Sequence, residues 1–256
     1  MKNIGSIISG LAILLVMTNA FGQSQTPSQL RKFSDPAVDR NILFGTAETI
    51  GRGQVTINQY EVLFIGATYG LSDRVQTSLT VLLLPLFLDE GVVFAVSTKL
   101  KLLDTGRILL AVKPGLGMFA FSGGFAASGS LSGHVDFLLD RQGAFVVTLT
   151  GGVAAFLDAE GKDWEANDLY VLGGAAGFSA RFGPIKLMLE IAMPVQNQIF
   201  TVDPEFDAET VLLNYGIRFF NKYFAFDFSL IKTLFLPPFF EPCIFGYPYI
   251  TFNTRF

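Results

Sequence analysis

The sequence predicts an all-β protein, a transmembrane antiparallel up-and-down β-barrel of about twelve strands, within a range of ten to twelve. Three observations predict it. Half of the 256 residues are apolar and the mean hydropathy is +0.46, yet only the N-terminus approaches the roughly 20 consecutive apolar residues that a spanning helix needs. Segment after segment alternates bulky apolar side chains with polar or small ones. That alternation continues to the last residue, Phe256, where soluble domains usually fray into polar residues. In lipid every backbone polar group must be paired within the protein, so a chain this apolar without spanning helices is left with closed strands.

From the N-terminus, residues 1–22 read as a signal peptide. Lys2 precedes an apolar stretch from Ile7 to Met17, and Ala20 and Gly22 stand before a cut at Gln23. An uncleaved helical anchor is the alternative, disfavoured by the short apolar core. Residues 23–50 show neither helical nor strand periodicity. They read as a periplasmic lead-in, with partial entry into the lumen left open. Residues 51–256 form the barrel.

Its strands declare themselves by a period of two. Arg74, Gln76, Ser78 and Thr80 share one face, with Val75, Leu79 and Val81 opposite. Ser97, Lys99 and Lys101 oppose Val96, Leu100 and Leu102; Ser130, Ser132, His134 and Asp136 oppose Leu131, Val135 and Phe137. Lys186 and Glu190 oppose Leu187, Leu189 and Ile191. Asn214, Gly216 and Arg218 oppose Tyr215, Ile217 and Phe219, and Asp227 and Ser229 oppose Phe226 and Phe228. A soluble β-sandwich also alternates, but its outer faces are polar. Here the apolar set is bulky on every strand, and the other set is sparse and rich in Gly, Ala, Ser and Thr.

Connections alternate between tight turns ("GLSDR", "LLDTGR", "LDRQGA", "RFGPI", "FNKYF") and longer loops. That is the barrel rule of short periplasmic turns and long outer loops, and it demands an even strand number. The stretch "GQVTINQYEVLFIGATYG" makes two short strands if it breaks at Gln59–Glu61, giving twelve. Read as one strand it spoils the parity. In the closing strand Ile250, Phe252, Thr254 and Phe256 face lipid while Tyr249, Thr251, Asn253 and Arg255 face inward. Phe252 and Phe256 on such a strand resemble the insertion signal of bacterial outer-membrane barrels, which implies the barrel-insertion machinery as a partner.

"GTAETIGRGQ" followed by "YGLSDRVQTSL" resembles the opening of a broad, largely uncharacterised group of bacterial outer-membrane barrels, and "AVKPGLG" is similar to their lysine-proline strand. Tyr69, Gly70, Ser72 and Asp73 carry the second part of the match. Part of that group is associated with aromatic (phenol meta-pathway) degradation as transporters. The resemblance implies fold and location, and brings no catalytic set. The residues by themselves read as a tight turn over Gly70–Asp73, with Tyr69 at the membrane interface.

Little points to chemistry. The single His, His134, has Ser132 and Asp136 two residues away on its own face, a spacing that seldom makes a triad alone. It reads as a lumenal polar residue. One His and one Cys exclude a zinc set and an intramolecular disulfide, so no metal or cofactor is expected. Cys243 reads as a loop residue.

Charge says more. Arg74, Lys99, Lys101, Lys113, Arg181, Lys186, Arg218 and Arg255 fall on the inward face, against Asp136, Glu190 and Asp227. One reading is an anion-favouring constriction set by these lumen-lining groups. The other is a packed lumen cross-linked by salt bridges. Acidic loops such as Asp203 to Glu209 read as solvated. Phe235, Phe239, Phe240 and Phe245 read as an interfacial girdle or as a hydrophobic mouth.

The expectation is therefore a non-enzymatic barrel of the bacterial outer membrane, monomeric by default, passing a small unidentified solute through a narrow cationic lumen. Transport of hydrophobic or aromatic compounds and a closed structural barrel are the alternatives; a lipid-modifying enzyme is the most remote. Partners are outer-membrane lipid and lipopolysaccharide, the insertion machinery and the solute. No nucleic acid is expected.

Overall fold

The computed structural model describes residues 35–60, 64–82, 91–121, 124–159, 169–197, 211–233 and 246–256. The signal peptide, the first part of the lead-in, Phe235, Phe239, Phe240, Cys243, Phe245 and most of the acidic loop residues lie outside them.

Twelve strands occur among the described residues: β1 (Val55–Tyr60), β2 (Phe64–Ser72), β3 (Val75–Leu82), β4 (Gly91–Asp104), β5 (Ile108–Phe121), β6 (Gly124–Leu138), β7 (Phe145–Ala159), β8 (Leu169–Phe182), β9 (Ile185–Asn197), β10 (Leu212–Phe220), β11 (Phe224–Thr233) and β12 (Tyr247–Arg255). Each pairs antiparallel with its sequence neighbours, and β1 pairs with β12, so the sheet closes on itself. The doubtful stretch around Gln59–Glu61 divides into β1 and β2, as parity requires. Closure leaves no sheet edge to template aggregation.

The two faces separate as the alternation predicts. Leu116, Leu131, Leu187, Phe219, Phe228, Phe252 and Phe256 point outward and are exposed. Gln76, Lys99, His134, Glu190, Arg218 and Asp227 point inward and are buried. An inside-out distribution of this kind is what lipid selects, since apolar side chains need no enclosure there.

Tight turns join β2 to β3, β4 to β5, β6 to β7, β8 to β9 and β10 to β11 at one end of the barrel. The β8–β9 turn places Gly183 at φ 60°, a left-handed conformation that glycine adopts without a Cβ penalty. One turn differs from the sequence reading. Gly70 belongs to β2, the register slips between Gly70 and Ser72, and the turn itself is Asp73–Arg74.

Gly70 is required for another reason. A Cβ there would lie 2.1 Å from the Gly51 carbonyl oxygen, because the chain entering β1 crosses directly over β2. Gly53 donates to the Gly70 carbonyl at 2.8 Å and Gly70 donates to Gln54 at 2.9 Å, fixing that crossing.

Candidate functional site

Residues 35–50, read from sequence as a lead-in, lie inside the barrel at the tight-turn end. The segment rises from Asp35, bends through Asn41–Phe44, and returns to Ile50. An Arg40–Gly45 bridge and the Asn41 N–H to Phe44 carbonyl bond (3.0 Å) hold the bend. Ala37, Ile42, Ala47 and Ile50 are at most 1% exposed, so this is a plug, not a strap across the mouth. Two apolar contacts seat it. Ala37 packs with Phe220 and Ala225, and Ala47 packs with Leu109, Ala111 and Leu138.

A segment without regular structure must find partners for its buried backbone groups elsewhere, and here the barrel wall supplies them. Glu190 accepts the N–H groups of Ile42 (3.0 Å), Leu43 (3.0 Å) and Phe44 (3.3 Å). Asp136 accepts that of Ala47 (2.9 Å) and Gln76 that of Ile50 (2.8 Å). Lys99 donates to the carbonyls of Asp39 (2.7 Å) and Glu48 (3.1 Å). Arg255 donates to the carbonyl of Asp35.

Arg218, with no exposed surface, is the hub. It donates to Asp227 (2.6 and 3.0 Å), to the Asp35 carboxylate (2.8 Å), and to the carbonyls of Ala37 (2.7 Å), Arg40 (3.2 Å) and Asn41 (2.7 Å). Arg40 of the plug reaches back to Asp227 (3.1 Å) and Thr251 (2.7 Å), and its guanidinium lies 4.8 Å from the centre of the Tyr60 ring.

The acids that sequence reasoning left out belong to the plug. Glu48 pairs with Lys101 at 2.8 Å. Asp39 accepts from the Gln76 amide at 2.7 Å. Burial opposes the charge on Asp39, but Lys99, the Gln76 amide, Arg40 and Lys113 outweigh it, so its carboxyl is held below the ordinary aspartate value. A carboxyl depressed in the folded state stabilises above its unfolded pKa and ceases to do so as pH falls through the folded one. This carboxylate therefore contributes at neutral pH, and its contribution is lost as pH falls below the ordinary aspartate range.

Of the predicted lumen-lining cations, Lys99, Lys101, Arg218 and Arg255 bind the plug. Arg181 sits at the rim, donating to the Gln142 carbonyl of the β6–β7 turn (3.2 Å), and Arg74 lies at the β2–β3 turn. Lys186 and Arg181 border a gap of about 60 Å³ between the plug and β6–β9, room for a few waters. Four of the eight cations thus face plug carboxylates and carbonyls, whereas Lys113 lines the lumen beyond the plug. Sequence reasoning could not pair them because residues 35–50 carry no periodicity to place them.

His134 also serves the plug. Its Nδ1 lies 3.1 Å from the Gly45 carbonyl, which can only accept, so that nitrogen carries the proton and Nε2 accepts from the Ser132 hydroxyl at 3.0 Å. The serine and histidine meet, as neighbours on one strand face can. The third member of a triad is missing, because Asp136 is turned to Thr148 (2.8 Å) and Ala47. No group of three His, Cys, Asp or Glu side chains that could hold a metal ion occurs among the described residues.

Beyond the bend of the plug, away from the tight turns, the lumen opens into a cavity of about 340 Å³ against β2–β6. Lys113 stands at its polar side and Phe64 at its apolar side.

No family model and no curated protein matches the chain. Among solved structures it is similar to the KdgM porin in complex with disordered oligogalacturonate, at 8% identity and a TM-score of 0.43, over 79% of this chain and 95% of that one. It is similar to LpxR from Salmonella typhimurium at 11% identity and a TM-score of 0.40, over 79% and 99%. An anion-selective porin from Comamonas acidovorans aligns at 11% identity and a TM-score of 0.37, over 75% of this chain and 59% of that one. At these values the likeness is one of barrel architecture.

Proposed function

We propose that the chain is a bacterial outer-membrane barrel for passive uptake of a small solute, with residues 35–50 acting as its gate. The observation that supports this most is the way the plug is held. Polar and charged wall residues hold it, and every such contact can exchange for water if the segment moves. An immobile filler would be held more simply by apolar packing, since a buried ion pair adds little net stability over well-packed apolar residues. The proposal includes tight turns and termini on the periplasmic side, insertion through the Phe252–Phe256 strand, a monomer surrounded by lipid and lipopolysaccharide, and no catalysis. On this reading His134 clamps the Gly45 carbonyl and has no substrate to attack.

Planar-bilayer conductance of the refolded full chain tests the gate, alongside a Glu190→Gln/Arg218→Met variant. The unaltered chain is expected to show no steady open level. The variant is expected to open and to favour chloride, because Lys99, Lys101 and Arg255 then lose Asp35, Asp39 and Glu48 as neighbours. Steady conductance in the unaltered chain overturns the plug as a barrier. A variant that releases its plug yet stays silent points to a closed structural barrel.

A further inference from the structure

We infer that the cavity above the plug is a binding site for a small organic carboxylate with an apolar body, seated with its carboxylate toward Lys113. This names the solute class for the uptake reading above, and rests on that reading only for its physiological meaning.

The cavity is built in rows that run across neighbouring strands, because antiparallel register places inward side chains side by side. Nearest the plug, Lys113 of β5 is opposite Ser132 of β6. One row further, Ser78, Ser97, Gly115 and Ser130 lie in register across β3 to β6. The next row is Thr80, Ala95, Gly117 and Ser128. Beyond it Phe64, Leu82 and Val93 complete an apolar row across β2 to β4. Rows two residues apart are separated by about 7 Å. Polarity therefore falls steadily over a distance comparable with a small amphipathic molecule, from a cation through hydroxyls to hydrocarbon.

Three details make this a site and not leftover space. Among the described residues the Lys113 ammonium has no ion pair or hydrogen bond, whereas its neighbours Lys99 and Lys101 are both committed to the plug. The nearby Asp39 carboxylate is taken by Gln76. Lys113 acts on Asp39 only through space, and its ammonium, with no carboxylate in ion-pair contact among the described residues, is open to an anion that can leave again.

Gly115 keeps the polar row open. A Cβ there would lie 2.7 Å from the Ser130 hydroxyl and in ordinary contact, 3.5 Å, with the Ser97 Cβ, so a side chain would push that hydroxyl out of its place in the row. Phe64 faces inward yet is 39% exposed, an aromatic surface turned toward the cavity and not toward lipid. Volume agrees as well, because about 340 Å³ lies at the small end of ligand pockets.

The test is isothermal titration calorimetry of the refolded full chain in detergent with benzoate, benzamide and acetate. Benzamide keeps the ring without the charge, and acetate keeps the charge without the ring. Benzoate is expected to bind about tenfold more tightly than either, the scale of one charge-assisted contact. Lys113→Met is expected to bring benzoate down to the benzamide level, and Phe64→Ser to bring it toward acetate. Equal binding of benzoate and benzamide to the unaltered chain overturns the inference, as does benzoate binding that survives Lys113→Met. The benzoate–benzamide comparison needs no variant, so it stands even if Lys113→Met does not fold. No step depends on conductance, so failure here is separate from failure of the gate.

Discussion

Arg218 shows what a single side chain does in this lumen. Its guanidinium is wholly enclosed and meets two carboxylates and three plug carbonyls, so its worth lies in specifying where the plug sits. Replacing both members of such a pair with apolar residues can be neutral, whereas removing one strands the other in a buried site at about 3–5 kcal/mol. Arg218→Met leaves Asp35 without its guanidinium partner and Asp227 with Arg40 and Thr251 alone, and is expected to loosen the plug by the lower end of that range. Glu190→Gln removes a carboxylate that serves three N–H groups and is expected to cost less, about 1.5–3 kcal/mol, since an amide oxygen still accepts. Hydrogen exchange separates the two effects. Amides of residues 37–44 should speed up in both variants, more in Arg218→Met, while those of β4–β9 stay protected. Uniform loss of protection would mean that the plug and the barrel unfold as one unit.

Strands and plug differ in how far the sequence discloses them. A lipid-facing strand repeats every two residues because each apolar side chain is separately solvated by lipid, and that rule held along the described strands except where the register slips, as between Lys101 and Leu103 of β4. The plug obeys no period because its partners are wall residues distant in sequence, such as Glu190 for Ile42 and Arg218 for Ala37. The inward cations were legible; the acids and carbonyls that meet them were not. Gly70 lies between these cases. Its place beside a turn was legible, but its cause, the Gly51 carbonyl passing over it, depends on the path from plug to β1. Gly70→Ala is therefore expected to displace the β1 entry and destabilise the barrel by about 1–3 kcal/mol, as overpacking against backbone does. Urea unfolding in detergent would measure it. An unchanged midpoint would mean that the crossing can move aside.

The molecule as a whole is a cylinder with an apolar outside, and the exposure of Leu116 (62%), Leu131 (53%) and Phe252 (42%) is intelligible only if hydrocarbon surrounds it. This scale was the most legible, because strand after strand carries a bulky apolar face, and closed strands can pair every backbone group in a bilayer. The band also has a depth. Leu131 lies near the middle of β6, and Leu139 lies in the β6–β7 turn although it is 58% exposed, so the two are alike in exposure and differ in height. A bilayer distinguishes them where a detergent micelle or a protein partner does not. An arginine on the lipid face costs about 2–4 kcal/mol at the midplane and about 0–1 near the interfaces. Leu131→Arg should accordingly destabilise the barrel in lipid vesicles by about 2–4 kcal/mol and Leu139→Arg by less than about 1 kcal/mol, read from reversible denaturant titrations. Equal costs at both positions would mean that the hydrocarbon layer does not lie across the middle of β6, and the height at which the plug and the cavity sit relative to the membrane would have to be redrawn.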